Sequence, residues 1–419
     1  MMKYLLPISF FLIISTLSIA QTPAQNSFKI AIDIMDKQPE NYLAPLNAIK
    51  KIKIDTAEKR GLNTWLQAMM TYYSFLEDYP HLLFYSDYRF KDQINTEKVV
   101  YDTAFVRQHT LINASDYITT RAKLSQVTMI NEAHHLPYHR ALMLSMLKRF
   151  YDGGYRYLAI EALEDSLINR KKYPDYDAGY YIHEPLFGEL LRQAKKIGFI
   201  MISYDPEEDC DQKSEDPNYC NRFRDSLMAV NLVRVLNKDP KAKMLVYAGY
   251  DHIHEGSVNS WKKMAQYFKE FSGIDPFTVD LTQQVQHLYP QLEEKEFISI
   301  NKFKHIQQPV IALRGNKAWH GKYVDATVIF PIYNIKNKRS TLLSIAGLRK
   351  PYNLSIFQLK PNQLVQAFYS YEKPGNRIPA DQLLINNGNN VLFLFKGKYV
   401  LEIKNSKGML IKRRRVIIN

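Results

Sequence analysis

Short apolar runs alternate with amphipathic segments between residues 127 and 281, and this alternation constrains the fold more than any other feature of the sequence. The apolar runs have the length of strands, and the segments between them repeat apolar residues with the spacing of a helix. Strands that alternate with helices over short connections are typical of a mainly parallel sheet covered by helices on both faces. The predicted strands are residues 127–131, 157–162, 199–204, 244–249 and 276–281, and the predicted helices are residues 137–151, 184–197, 221–236 and 260–271.

Ionisable residues cluster where these predicted strands end. In open α/β sheets, ligands and catalytic groups collect at the carboxyl ends of the strands. The sequence therefore predicts one site, built from groups that are far apart in the chain. Its candidate residues are Glu132, His134, His135 and Arg140 after the first strand, Glu161 after the second, Asp251 and His252 after the fourth, and Arg222, Arg224 and Asp225 at the start of the helix that precedes the fourth.

Glu161 is the most informative of these residues, because it follows an otherwise apolar strand. A carboxylate in that position is costly to desolvate unless it is paired or has a chemical role. A pKa raised by burial toward neutrality would suit a general acid or base. The alternative is a structural carboxylate held by an arginine such as Arg140 or Arg222, and the two interpretations are compatible.

Two chemistries fit the predicted cluster. In the first, an imidazole acts as the general base on a water that attacks an ester or similar bond, and a second histidine or an arginine stabilises the oxyanion. In the second, Glu132, His134, Glu161 and His252 bind a divalent metal that activates water. Mixed imidazole and carboxylate ligands suit Zn, Mn, Fe or Co. Spacing in the sequence does not choose between these chemistries.

His134 and His135 follow the first strand as neighbours. Successive residues that leave a strand point to opposite sides. We therefore expect one of the two imidazoles to face the site and the other to face away from it.

The first twenty residues are typical of a secretory signal peptide. Lys3 supplies the positive charge, residues 5–17 are apolar, and residues 18–20 form a small-residue cleavage site. No later apolar run approaches the roughly 20 residues that cross a bilayer. The sequence therefore predicts an exported, soluble protein of the periplasm, the cell surface or the medium. In such an oxidising compartment, the two cysteines, Cys210 and Cys220, are predicted to form a disulfide.

Composition divides the remaining chain. Residues 21–115 are predicted to form a helical N-terminal subdomain, residues 116–335 the α/β domain, and residues 336–419 a basic β-rich C-terminal domain. Residues 301–419 contain 21 Lys and Arg but only four Asp and Glu. Such a charge predicts contact with an anionic surface such as lipopolysaccharide or an acidic glycan, or else a basic domain that its charge keeps soluble. We expect no nucleic-acid partner.

The segment Asn131-Glu-Ala-His-His-Leu-Pro-Tyr-His-Arg140 resembles the Gly-Glu-x-His signature of three related groups: the erythromycin esterase-like proteins, the ChaN-like haem-binding proteins and the TraB/Tiki-type proteins. Later matches follow in the family's order over about residues 125–280. They are Leu158-Ala-Ile-Glu161, residues 184–194 with Gly198, residues 221–229 and Gly249-Tyr-Asp-His252. Asn131 replaces the signature's glycine, and it is predicted to be a turn residue that tolerates positive φ.

The resemblance implies a site at Glu132, His134 or His135, Glu161 and His252, which the cations Arg140 and Arg222 support. In esterase-like members the first-loop histidine is the proposed general base, Tiki-like members are associated with a divalent metal, and ChaN-like members bind haem iron. Esterase members usually carry histidine near positions 249 and 250, where this chain has Gly249 and Tyr250. This difference argues against macrolide-lactone hydrolysis in particular.

The leading prediction is an exported hydrolase, of bacterial type, that acts on a small-molecule or envelope-derived ester. One alternative is capture of haem or a divalent metal at the cell envelope without turnover. A third is a protein that binds an anionic envelope component through its basic C-terminal domain.

Overall fold

A nine-stranded sheet organises the part of the chain that the computed structural model describes, which is residues 26–94, 99–206, 210, 214–333, 339–385 and 390–419. The predicted signal peptide at residues 1–20 lies outside these described residues. The α-helices are α1 (Ser27–Lys37), α2 (Leu43–Ile49), α3 (Lys59–Phe75), α4 (Tyr79–Tyr88), α5 (Thr103–Gln108), α6 (Ala114–Ala122), α7 (Pro137–Asp152), α8 (Pro185–Ile197), α9 (Tyr219–Lys238), α10 (Met264–Ser272) and α11 (Lys295–Lys304). The strands are β1 (Thr110–Asn113), β2 (Val127–Glu132), β3 (Tyr155–Ile160), β4 (Ile200–Ser203), β5 (Lys243–Gly249), β6 (Ser257–Val258), β7 (Trp261–Lys262), β8 (Phe277–Gln284), β9 (Val310–Arg314), β10 (Lys317–Ala318), β11 (Ala326–Ile329), β12 (Lys350–Asn353), β13 (Leu364–Tyr369), β14 (Asp381–Leu384), β15 (Val391–Leu394), β16 (Gly397–Lys404) and β17 (Leu410–Ile418).

The central sheet is mainly parallel, and the prediction of a mixed α/β fold is confirmed. Its strand order is β1-β9-β11-β8-β2-β5-β3-β4, with β10 beside β9. The strands from β11 to β4 in this order pair in parallel, whereas β9 pairs antiparallel with β1, β10 and β11. The carboxyl ends of β2, β3, β4 and β5 therefore meet at one edge of the sheet, which we call the site edge.

Helices cover both faces of the sheet because alternate strand residues point to opposite faces. Ile130 and Tyr247 lie in the larger core, together with residues of α6, α7, α8 and the N-terminal helices. Met129 and Val246 lie in a second core, together with residues of α9 and α10. This division confirms that the apolar runs are strands buried on both faces.

Local sequence determines where α8 begins and where it ends. This helix connects two parts of the molecule. The Glu184 side chain accepts hydrogen bonds from the Leu186 and Phe187 amides at 2.8 and 2.9 Å, and Pro185 occupies the first turn, where its missing N–H costs nothing. Gly198 ends the helix with a φ of 109°, a left-handed conformation that favours glycine.

The N-terminal region is helical as predicted, through α1 to α5. It shares the larger core with the sheet, since Tyr42 and Phe75 belong to the same apolar cluster as Ile130. The Tyr42 hydroxyl also donates to the carbonyl of His183 at 2.8 Å. The predicted boundary at residue 115 remains a prediction, because one continuous core crosses it.

The C-terminal region is rich in antiparallel β-structure, as predicted. Its larger sheet has the order β14-β13-β16-β17, and β12 pairs with β15. The predicted terminal hairpin is present as β16 and β17, with Gly408 in its turn at a φ of 78°. The segment between residues 308 and 334 contributes β9 and β11 to the central sheet rather than to this region.

The predicted helix at residues 260–271 begins later than expected, at Met264. A tight hairpin of β6 and β7 precedes it, and Asn259 and Ser260 in its turn have φ values of 54° and 74°. The apolar spacing of a helix continued into this segment, but positive φ at two residues is incompatible with a right-handed helix.

The predicted disulfide between Cys210 and Cys220 is present. Among the residues that the structure describes, no helix has both the length and the apolar character that crossing a bilayer requires.

Arg192 connects α8 to the C-terminal region, and its buried ion pairs predict a large effect on stability. Its guanidinium donates to both oxygens of Glu372 at 2.8 and 3.1 Å and to Glu189 at 2.9 Å. Arg192→Met leaves two buried carboxylates without their cation and should lower the free energy of unfolding by about 3–5 kcal/mol. Urea denaturation checks this value. The matched control is Arg149→Met, whose half-exposed pair with Asp116 should be worth less than about 1 kcal/mol. Equal losses for the two variants would contradict the expectation.

Candidate active site

A buried ion pair between Glu132 and Arg140 forms the base of the site. Glu132 is the last residue of β2, and Arg140 lies in the first turns of α7. Arg140 donates to the two Glu132 oxygens at 2.8 and 2.6 Å, and also to Glu184 at 3.0 Å. Burial alone would raise the pKa of Glu132, but the charge of Arg140 and a hydrogen bond from His134 outweigh burial and hold it well below its usual range. Glu132 is therefore ionised.

His134 is held on two sides. Its Nδ1 lies 2.9 Å from Glu132 Oε1, and its ring stacks on Tyr181 with the ring centres 4.2 Å apart. An ionised carboxylate can only accept hydrogen bonds. Nδ1 of His134 therefore carries a proton and donates a hydrogen bond to Glu132, which leaves Nε2 free to accept one. An imidazole held in this way has a defined tautomer and orientation.

Glu161 follows β3 and lies at the centre of the site edge. Its Oε1 accepts a hydrogen bond from Arg224 at 2.7 Å, and its Oε2 accepts one from the Gly249 amide. Burial would raise the pKa of Glu161, but the neighbouring His252, His134 and Arg224 side chains lower it to about 2. The prediction that burial brings the pKa of Glu161 toward neutrality is therefore wrong. Sequence shows that the residue is buried, but the cations around it decide the direction of the shift.

His252 repeats the arrangement of His134 on the other side of Glu161. Its Nδ1 lies 2.6 Å from Asp225, and Asp225 also accepts from the Trp261 indole at 2.8 Å and from the Met264 amide at 3.0 Å. The Nε2 of His252 lies 3.6 Å from Glu161 Oε1. Burial lowers the pKa of His252, but Glu161 and Asp225 outweigh burial and raise it above its ordinary value.

Arg224 is the residue that sequence reasoning noted without assigning it a role. Its guanidinium bonds Asp205 at 2.8 and 2.7 Å and approaches His252 Nε2 at 3.2 Å, in addition to its bond with Glu161. By contrast, Arg222, which was predicted to support the site, faces away from it and pairs with Asp216. Residues two apart on a helix face different directions, and only the direction in which α9 packs shows which arginine enters the site.

A cleft of about 360 Å³ opens at the site edge, and His134, Glu161, Asp205 and Arg224 line it together with Tyr180 and Tyr181. A cleft that combines aromatic surface with a few converging ionisable groups is the usual form of a small-molecule site.

His135 does not face this cleft. Its Nδ1 lies 3.2 Å from the Tyr250 hydroxyl, and its Nε2 lies 3.4 Å from the Ser86 hydroxyl of α4. Burial, together with nearby cations, holds the pKa of His135 well below its ordinary value. Of the two neighbouring histidines, the structure brings His134 to Glu132 and Glu161.

Asn131, where the related signature has glycine, is an extended residue inside β2 and not a turn residue, so the predicted turn is wrong. Its side chain donates to the Tyr250 carbonyl at 2.6 Å and to Asp280 at 2.7 Å, and it accepts from the Leu281 amide at 2.6 Å. Asn131 thereby connects β2 with the end of β5 and with β8. The side-chain amide of Asn131, rather than conformational freedom of its backbone, connects the strands at the site edge.

Gly249 is required by the close approach of the His134 and Glu161 side chains. A Cβ at this position would lie 2.5 Å from His134 Nε2 and 3.1 Å from Glu161 Oε2. The next residue, Tyr250, has a φ of 41°, which is uncommon for a tyrosine. Strained backbone of this kind clusters at functional sites.

The predicted metal ligands are not arranged as a ligand set. Glu132 bonds Arg140 through both oxygens, and Arg224 approaches the same Nε2 of His252 that a metal would need. Over the described ranges, no group of three or more His, Cys, Asp or Glu side chains has the arrangement of a metal site. No contact in the cleft tests the alternative of haem capture, which stays a prediction.

Comparisons with known proteins assign no family. No protein-family model matches the chain, and none of the curated proteins matches it. Among the solved structures that resemble it are three bacterial effectors or toxins. The type III effector HopBA1 is 12% identical over 47% of this chain and 95% of its own, with a TM-score of 0.31. The C-terminal region of Pasteurella multocida toxin, described as having a thiol-protease like catalytic triad, is 14% identical over 53% of this chain and 30% of its own, with a TM-score of 0.32. A structure described under bacterial protein toxins is 11% identical over 62% of this chain and 65% of its own, with a TM-score of 0.30. TM-scores at this level carry no conclusion about function.

The position of Arg224 generates a prediction about metals. We expect purified protein to contain no stoichiometric Zn, Mn, Fe or Co, because the Arg224 guanidinium contacts both Glu161 and His252 Nε2. Inductively coupled plasma mass spectrometry measures the content directly. Arg224→Ala removes the competing cation and is expected to bind added Zn more tightly than the wild type. Stoichiometric metal that disappears in His252→Ala would contradict the assignment.

Proposed function

We propose that the protein is an exported hydrolase that cleaves an ester or related bond in the cleft, with His134 as the general base. The observation that carries the proposal is the bond between His134 Nδ1 and the buried, ionised Glu132. This bond fixes the tautomer in which Nε2 accepts a proton, and His134 forms part of the cleft wall.

In the proposed reaction, His134 Nε2 takes a proton from water while the water oxygen attacks the substrate carbonyl. The carbonyl electrons move to the oxygen, and the guanidinium of Arg224 stabilises the oxyanion. Arg224 lines the cleft and is 40% exposed in its side chain, so it can contact a substrate without leaving Glu161. A fixed cation in a partly enclosed site stabilises such a charge far better than bulk water does.

His252 is assigned the role of general acid. The neighbouring Glu161 and Asp225 raise its pKa above the ordinary value, which favours the protonated form that a general acid needs. When the tetrahedral intermediate collapses, His252 Nε2 gives its proton to the leaving oxygen. Glu161, with a pKa of about 2, stays ionised throughout and holds the two cationic partners in place.

Export is part of the proposal and rests on the N-terminal sequence. The disulfide between Cys210 and Cys220 agrees with an oxidising compartment. The predicted substrate is a small molecule or an envelope component that contains an ester. The lining of the cleft does not identify it more specifically.

His134→Gln should abolish most of the activity, because it removes the base without removing volume. The expected loss in kcat/KM on a generic ester such as p-nitrophenyl acetate is about 10²- to 10⁴-fold. His135→Gln is the matched control, since His135 bonds Tyr250 outside the cleft, and it should stay close to the wild-type rate. A loss confined to His135→Gln would overturn the assignment.

Glu161→Gln tests the acid. This change removes the negative charge that raises the pKa of His252, so His252 loses its proton at a lower pH. Because the general acid must be protonated, the alkaline side of the kcat/KM profile is expected to move to lower pH. Glu164→Gln removes another carboxylate that lines the cleft and should leave the profile in place. An unchanged profile for Glu161→Gln would remove His252 from the mechanism.

A further inference from the structure

A second groove, far more basic than the cleft, lies between α8 and the C-terminal strands. It has a volume of about 730 Å³ and is the larger of the two. Four exposed lysines line it, contributed by three separate parts of the chain. They are Lys172, Lys196, Lys396 and Lys398.

The positive charge of this groove is not neutralised by the protein around it. Among the described residues, no carboxylate lies within ion-pair distance of any of the four lysines. The groove also contains Arg192, but Glu189 and Glu372 already neutralise that guanidinium. Like charges held together on a surface raise the local concentration of anions.

Aromatic rings lie between these cations. Tyr371 is half-exposed, and its ring centre lies 6.0 Å from that of Tyr173 and 5.2 Å from that of Tyr369. The Lys172 ammonium lies 5.8 Å from the Tyr371 ring. An exposed aromatic face offers a flat apolar surface, which suits a ring-shaped ligand better than a small inorganic anion.

The basic surface continues beyond the groove. A neighbouring depression of about 360 Å³ shares Tyr369 and Ser370 with it and is lined by Arg413, Arg414 and Arg415 of β17. Two carboxylates also line it, and both are buried and already paired: Glu372 with Arg192, and Glu402 with Arg377 and Arg413. The two basic depressions meet at shared residues, and we call the continuous surface that they form the basic track. Such a surface suits a chain of repeating anionic units better than a single anion.

We propose that this track binds an acidic polysaccharide, with lysine and arginine side chains on its carboxylates or sulfates and the tyrosine faces against its sugar rings. Lysine suits such a ligand because its compact charge follows a flexible chain without requiring a planar partner. A polysaccharide is favoured over nucleic acid because the disulfide indicates an oxidising compartment outside the cytosol. The proposal does not depend on the hydrolase activity.

The test uses the full-length protein and polygalacturonate, whose repeating unit is a uronic acid. We expect measurable binding by isothermal titration calorimetry, no binding of neutral dextran, and affinity that falls as salt rises. Lys172→Gln combined with Lys396→Gln and Lys398→Gln should weaken binding by about tenfold or more. Tyr371→Ala should weaken it as well, although it changes no charge.

The control for the triple variant removes the same charge elsewhere, through Lys302→Gln, Lys304→Gln and Lys317→Gln, which are exposed positions outside the groove. It should bind polygalacturonate like the wild type. Equal weakening in both triple variants, or no effect of Tyr371→Ala, would reduce the binding to general charge attraction and overturn the proposal. Tighter binding of an oligo(dT) strand than of polygalacturonate would overturn it in favour of nucleic acid. Ester hydrolysis by the groove variants is measured alongside and is expected to be unchanged, so failure of this proposal is distinguishable from failure of the proposed function.

Discussion

The site depends on the buried interaction of Arg140 with Glu132 and Glu184. Taking each of these ions out of water costs several kcal/mol, so each must find its partners in the folded protein. Arg140 meets this requirement by joining three elements, the end of β2, the start of α7 and the residue that caps α8. His134 is oriented only because Glu132 is fixed in this way. The orientation of the His134 ring is thus a consequence of how three charges are buried.

The two histidines of the site follow one arrangement with different partners. The Nδ1 atom of each ring lies within hydrogen-bond distance of a buried carboxylate. This carboxylate is Glu132 for His134 and Asp225 for His252. Glu161 lies between the two rings and closest to His252. Glu161 and Asp225 together raise the pKa of His252, and this distinguishes it from His134 as the proposed acid.

Much of the fold follows from periodicity in the sequence, because each strand of the site edge is a separate apolar run with a polar residue at its end. The positions of Glu132, Glu161 and His252 at that edge could be predicted for this reason. The choice of Arg224 over Arg222 could not, since it depends on how α9 turns against the sheet. The low pKa of Glu161 depends on residues that lie far away in the chain. The role of Asn131 was missed because its side-chain amide bonds β8, whose position beside β2 is a property of the sheet order alone.

The helix α8 carries charged contacts at both ends of one rigid element. Glu184 at its start belongs to the Arg140 network, while Arg192 near its end holds Glu372 of the C-terminal region. The β-rich region is therefore not an interchangeable attachment. A chimera or a recombination event would bring in a different C-terminal segment. That segment would need a carboxylate at the position of Glu372, because otherwise the buried Arg192 of α8 would lack this partner. Variation in the C-terminal region is therefore constrained by its contacts with α8, and the two must change together.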